Sequence, residues 1–159
     1  YFIDKKLDDV VIVSPDHGSV TRARNVAQYL NCPIAIIDKR RPEPNKSEIM
    51  NIIGNIEGKN CIIIDDMIDT AGTITMAANM LMEKGAKSVR AVATHAILSG
   101  PAYERINNSA LQEVIVTDTI PLDQTKDLSK FTVLSVADIF ADVIDRVYNY
   151  KEISSRFIF

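Results

Sequence analysis

Along the 159-residue chain, short apolar runs alternate with stretches of helical period. The runs are VVIVS (10–14), PIAIID (33–38), CIIID (61–65), VRAVAT (89–94), EVIVTD (113–118) and FTVLS (131–135). They are rich in β-branched residues and almost continuously apolar, as strands covered on both faces are. Between the first two, Val20, Ala23, Ala27 and Leu30 recur at helical spacing. After the third, Ile74, Ala77, Ala78 and Leu81 do the same, and Gly85 suits the position just past a helix end. Near the end of the chain Val136, Phe140, Val143 and Val147 share one stripe, and Ser135 with Asp138 resembles a capping box. This alternation predicts the α/β class: one domain over residues 1–159, three-layered, with a mostly parallel sheet flanked by helices on both faces. IMNIIGNIEGKN (49–60) fits neither period well and is expected to be mostly extended.

Composition changes this picture little. A hydrophobic fraction of 47% and a charged fraction of 25% are ordinary for a globular domain. The net charge of -3 includes no dominant basic patch, so no nucleic-acid partner is expected. No apolar run approaches the roughly 20 residues needed to cross a bilayer, and no secretory leader is visible. Cys32 and Cys61 sit beside or within apolar segments and read as buried free thiols of a reducing compartment, the cytoplasm. The chain starts YFIDKKLDD, without Met and apparently inside an element, so it is expected to be a piece of a longer protein.

Candidate chemistry concentrates where the apolar runs end. In open parallel sheets, ligands bind outside the carboxyl ends of the strands. Three unusual stretches fall there. The first run leads into SPDHGSVTRAR, the second into DKRRPEPNKSE (38–48), and the third into DDMIDTAGT (65–73). The last combines Asp65, Asp66 and Asp69 with Thr70, Ala71, Gly72 and Thr73 at a predicted helix start. Backbone N–H groups and two hydroxyls there form an anion cradle. Gly72 permits a close approach or a positive φ. The carboxylates would repel a phosphate but accept hydrogen bonds from vicinal hydroxyls or hold a divalent cation. A phosphorylated, polyhydroxylated ligand uses both halves; an acidic turn with threonine capping is the bland alternative. In the first stretch Asp16 is a plausible magnesium ligand, and Gly18 and Ser19 can face an oxyanion. His17 reads as a solvent-facing loop residue, Arg22 and Arg24 as surface charge, and His95 as structural. The second stretch packs seven charged residues and two prolines into eleven positions and cannot be core.

DDMIDTAGT is similar to the phosphoribosyl pyrophosphate motif of the type I phosphoribosyltransferase fold. Together with VSPDHGSVTRAR, IAIIDKRRPEPN, NIIGNIEGK and LSGPAYERINNS, it resembles the C-terminal half of the ribose-phosphate pyrophosphokinase (PRPP synthetase) family. The likeness runs from about Val10 to Tyr148. It implies transfer of a diphosphoryl group from MgATP to the anomeric hydroxyl of ribose 5-phosphate, giving PRPP and AMP. It further implies that Asp69, Thr70, Ala71, Gly72 and Thr73 bind the 5-phosphate and that Asp65 and Asp66 hold the ribose hydroxyls. Asp16 would ligate Mg2+, with Gly18 and Ser19 beside the pyrophosphate and ATP position, and Lys39 and Arg41 would belong to a flexible catalytic loop. An N-terminal domain of the same fold and assembly into a hexamer of dimers are implied as well. The sequence departs from the family pattern at Ser19 (usually a second glycine), at Ala96 after the Thr94–His95 pair, and at Arg156 in the tail. Ser19 and Arg156 leave a divergent, weakly active or regulatory paralogue as an alternative. A phosphoribosyltransferase, disfavoured by KRRPEPN, and a non-catalytic PRPP-binding regulator are the others.

Overall fold

A computed structural model of the chain describes residues 1–40 and 49–156. Seven strands form one sheet: β1 (Val10–Ser14), β2 (Ile34–Arg40), β3 (Ile49–Ile53), β4 (Asn60–Ile68), β5 (Ser88–Ala96), β6 (Glu113–Thr117) and β7 (Phe131–Leu134). Their order is β3-β2-β1-β4-β5-β6-β7, parallel except where β3 runs antiparallel to β2. The helices are α1 (Phe2–Lys5), α2 (Val20–Leu30), α3 (Gly72–Glu83), α4 (Ala102–Asn107) and α5 (Ala137–Tyr148).

The central strands are buried on both faces, as their unbroken apolar runs require, whereas the edge strands β3 and β7 expose Ile53 and Val133. On one face Val11, Val13, Cys61, Ile63, Ala91 and Ala93 pack with Ile74, Ala77, Ala78 and Leu81 of α3 and with Ala102 and Ile106 of α4. On the other, Ile12, Ile62 and Ile64 pack against Ala23 and Ala27 of α2. Each fully buried Ile or Leu contributes about 1.5–3 kcal/mol relative to exposure. The stripe expected for α3 is thus buried throughout, while of the α2 stripe Ala23 and Ala27 are buried and Val20 and Leu30 half-buried. Gly85, at φ 91, ends α3 as expected. Gly54, at φ 117, is needed for a second reason: a Cβ there would lie 2.9 Å from the carbonyl oxygen of Ile34.

Several expectations are corrected. The second apolar run extends to Arg40, because β3 pairs Met50 and Ile49 with Lys39 and Arg40 through the backbone. Lys39 therefore lies within β2, one residue before its end, and Arg41 lies outside the described residues. The capping box does not form. Val136 is the N-cap of α5, and its N–H donates to the Asp118 carboxylate at 2.9 Å. Ser135 accepts from Ala137 N–H instead. Of the expected α5 stripe Val136 and Val143 are half-buried but Phe140 and Val147 are exposed, as are Ile139 and Ile144 on the same helix. Cys32 and Cys61 are free thiols, Cys61 buried and Cys32 half-buried; burial pushes Cys61 up to about 11. No helix among the described residues is long and apolar enough to cross a membrane.

Candidate functional site

Chain order reverses between β1 and β4. From β1 the chain moves outward to β2 and β3, then returns to place β4 on the other side of β1. The crevice at their carboxyl ends is the topological switch point, where loops diverge and leave room for a ligand. The first and third unusual stretches meet there.

Asp16 follows β1 as a half-buried turn residue. Its carboxylate accepts the Ser19 N–H at 2.8 Å, and Ser14 Oγ donates to its carbonyl at 2.6 Å. Ser19 is buried and is the N-cap of α2 at φ -89, so serine in place of glycine carries no backbone strain. Its hydroxyl donates across the switch point to Asp65 Oδ1 at 3.2 Å. His17, exposed as expected, bonds Asp38 at the end of β2 through Nε2 at 2.9 Å. That contact ties the first loop to the strand that carries Lys39.

Asp65 is half-buried at the end of β4, and Asp66 beside it is exposed. Arg22, read from sequence as surface charge, reaches both: Nη1 lies 3.4 Å from Asp65 Oδ1 and Nη2 lies 3.3 Å from Asp66 Oδ2. Burial pushes the Asp65 carboxyl above its usual range. At Asp66 a burial penalty is outweighed by the Arg22 guanidinium and neighbouring hydrogen bonds, which hold it below. The two adjacent acids are therefore shifted in opposite directions, Asp65 up through its burial and Asp66 down through Arg22 and its hydrogen bonds. Arg22 could have been found from its place three residues after Ser19, one turn into the helix that leaves the switch point.

The loop read from sequence as an anion cradle lines a pocket of about 180 Å³, formed by Asp65 and residues 67–74. It gathers Asp69, Thr70, Ala71, Gly72 and Thr73, as the sequence suggested, but not Asp66. The residue with positive φ is Ala71 (φ 60), not Gly72. Ala71 is buried, and its single methyl group fits the core at a conformational cost of about 1–2 kcal/mol. The first N–H groups of α3 have no carbonyl one turn back to bond. The Thr70 and Thr73 side chains, both exposed, make no helix-capping hydrogen bond, and neither hydroxyl has a partner among the described residues. The residue that back-bonds the first turn is Thr75, to Ala71 O at 2.8 Å. His95 bonds Thr119 Oγ1 at 3.0 Å, a structural contact.

Among the described residues no three His, Cys, Asp or Glu side chains converge on a metal position. The half-buried Asp16 carboxylate is an oxygen donor of the kind Mg2+ takes, that ion being typically held by one or two carboxylates plus waters and substrate phosphates.

The sheet superposes on orotate phosphoribosyltransferase from Aeropyrum pernix over 86% of this chain and 65% of that one, at 14% identity and a TM-score of 0.56. At that identity the likeness is one of fold alone, and the class is the type I phosphoribosyltransferase-like fold. A family profile described as the phosphoribosyl synthetase-associated domain matches residues 41–158, and the chain belongs to that family. It is 60% identical over 157 residues to the ribose-phosphate pyrophosphokinase of Oceanobacillus iheyensis, a match covering 99% of this chain and 50% of that protein. The crystal structure of phosphoribosylpyrophosphate synthetase from Mycobacterium smegmatis aligns at 42% identity and a TM-score of 0.84, covering 94% of this chain and 49% of that one. The chain spans about half the length of the curated relatives it matches.

Proposed function

We propose that the chain is the sugar-phosphate half of a ribose-phosphate pyrophosphokinase, which moves a diphosphoryl group from ATP to the anomeric hydroxyl of ribose 5-phosphate. The products are PRPP and AMP, feeding nucleotide biosynthesis. The observation that carries this is the pocket of residues 67–74, whose two threonine hydroxyls and helix-start N–H groups lack protein partners. A phosphate monoester supplies three strong acceptor oxygens to such donors. Asp65 and Asp66 then accept from the ribose hydroxyls and displace Arg22, which is free to turn to the transferring phosphates. Asp16 is the magnesium ligand of this reading; bound Mg2+ would neutralise charge on the polyphosphate. Gly18 and Ser19 lie beside the pyrophosphate position, and Lys39 and Arg41 bring cations to the transferring group. Positioning and charge neutralisation are most of what phosphoryl transfer asks of a protein. ATP contacts, a second domain, assembly into a hexamer and a cytoplasmic location belong to the same reading. The open apolar stripe of α5 is consistent with further protein packing there.

The chain alone should bind ribose 5-phosphate by isothermal titration calorimetry but release no AMP from ATP. Combined with the complementary half of a relative such as that of Oceanobacillus iheyensis, it should form PRPP without any nucleobase. Activity that requires a nucleobase would make the protein a phosphoribosyltransferase instead.

A further inference from the structure

The anion pocket is held open from behind. Three successive carbonyl groups of its loop are taken by the segment that follows β5 and by α4. Leu98 N–H donates to Ile68 O at 3.0 Å, Ser99 N–H to Asp69 O at 3.1 Å, and Arg105 Nη1 to Thr70 O at 2.9 Å. In a trans peptide the N–H of one residue points opposite to the C=O of the residue before it. Drawing the carbonyls of Ile68, Asp69 and Thr70 toward this strap therefore turns the N–H groups of Asp69, Thr70 and Ala71 away from it, to the loop's other side. The strap itself is fixed. Leu98 is buried at φ 53, Gly100 has φ 55, and Ala102 and Ile106 of α4 are fully buried. A non-glycine residue at positive φ persists only where its surroundings over-determine it.

The first two contacts are backbone to backbone and lie just past the β4–β5 ladder, so β-structure accounts for them. The third is not. Arg105 comes from the last turn of α4, is exposed, and reaches 35 residues back to the one carbonyl that precedes the left-handed Ala71. Its Nη1 also lies 3.5 Å from where a Cβ of Gly72 would be, flush against the start of α3.

We propose that Arg105 is a positioning residue for the phosphate loop. Its guanidinium anchors the Thr70 carbonyl and so preorganises the Ala71 turn and the N–H groups that meet the anion. It acts from behind the loop, through the peptide of Thr70 and Ala71. This rests on the reading that the loop binds the phosphate of ribose 5-phosphate.

The test uses the chain as it is, with ribose 5-phosphate as probe, at 50 mM and 500 mM NaCl. Arg105→Ala should weaken binding by about three- to tenfold, the range of one hydrogen bond's net worth. Because preorganisation is not a long-range charge effect, the factor should be the same at both salt concentrations. Arg105→Gln, which keeps the stem and an amide donor but no charge, should recover part of the loss, and the melting temperature of both variants should stay within a few degrees. Unchanged affinity in both variants overturns the proposal. So does a loss that disappears at high salt, or one that Arg105→Lys restores fully while Arg105→Gln restores nothing, since either makes Arg105 a charge rather than an anchor. If the unaltered chain binds no ribose 5-phosphate, the fault lies with the reading of the loop. If it binds and Thr73→Ala weakens binding while Arg105→Ala does not, only Arg105's role fails.

Discussion

The two ends of the sheet treat their polar side chains in opposite ways. At the amino-terminal ends of the strands the groups satisfy one another. Asn60 accepts from Ser88 Oγ at 2.6 Å, Ser88 Oγ accepts from Arg90 at 2.9 Å, and Arg90 Nε lies 3.3 Å from Glu113. Glu113 also accepts from Lys5 at 2.7 Å, from Thr132 at 2.7 Å and from the Tyr1 hydroxyl. At the carboxyl ends the Thr70 and Thr73 hydroxyls have no partner among the described residues, and Arg22 is shared between two acids at 3.3–3.4 Å. Polar groups desolvated in a fold normally find partners within it. Groups left open beside a pocket are available to a ligand. The amino-terminal end is therefore read as stability and the carboxyl end as binding, and substitutions should separate the two.

The largest effect should come from the satisfied end. Glu113→Ala removes the acceptor of four donors and leaves Arg90, only 7% exposed, without its carboxylate. A cost of about 3 kcal/mol is expected, or roughly 6–12 °C in melting temperature for a domain of this size. At a temperature where the variant remains folded, its affinity for ribose 5-phosphate should be unchanged. Weakened binding with normal melting would invert the assignment of the two ends.

Acid should expose the same group in the unaltered protein. Burial would push the Glu113 carboxyl up, but hydrogen bonds from Lys5, Tyr1 and Thr132 outweigh it and hold it down at about 2. A carboxylate depressed in the folded state contributes stability that is full above its unfolded value, about 4.5, and is lost as pH falls through the folded value. Urea midpoints should therefore fall between pH 4.5 and pH 2, and the fall should be shallower in Glu113→Gln. Equal slopes would mean that other carboxylates set the acid limit.

The open end responds in affinity. Thr73→Ala removes a hydroxyl donor to a charged oxygen, worth about 1.5–3 kcal/mol, or roughly ten- to a hundredfold in ribose 5-phosphate binding. Melting should shift by little, because the hydroxyl caps nothing. A variant that melts much lower yet binds normally would restore the capping interpretation of this turn.

How far each end was legible from sequence follows from the range of its interactions. β1 was readable to the residue because its apolar run and its pairing stop together. β2 was not, since Lys39 and Arg40 end the apolar signal while β3 continues the backbone ladder. The six-residue α4 is too short to show a helical period. The capping box failed because α5 starts one residue later than the sequence suggested: Val136 is the N-cap, its N–H is held by Asp118 eighteen residues before it, and Ser135 accepts from Ala137. The residues of the anion pocket were legible as a contiguous motif, but their partners were not. Ser19 meets Asp65 across 46 positions, Arg22 meets it across 43, and Arg105 meets Thr70 across 35. Gly72 drew the positive φ in the sequence reading because glycine is the usual left-handed residue. Burial gave that place to Ala71, where a methyl group adds to the core and a glycine adds nothing.

That substitution supplies the smallest and most discriminating experiment. Ala71→Gly relieves about 1–2 kcal/mol of left-handed strain. It also frees the unfolded chain by about 0.4–1 kcal/mol and removes one buried methyl group, worth about 0.8 kcal/mol. The terms nearly cancel, so melting should move by no more than a few degrees. Affinity is where the outcome divides. If the strap behind the loop fixes its geometry, the Thr70 carbonyl stays anchored, the N–H groups keep their direction, and ribose 5-phosphate binding should change by less than about threefold. If the stiffness of Ala71 itself holds the turn, glycine lets the loop wander and affinity should fall by a factor comparable to that of Thr73→Ala, with no change in melting. Titration calorimetry on Ala71→Gly, alone and combined with Arg105→Ala, decides between them. Under the strap account the double variant loses only what Arg105→Ala loses, whereas under the alternative the two losses compound.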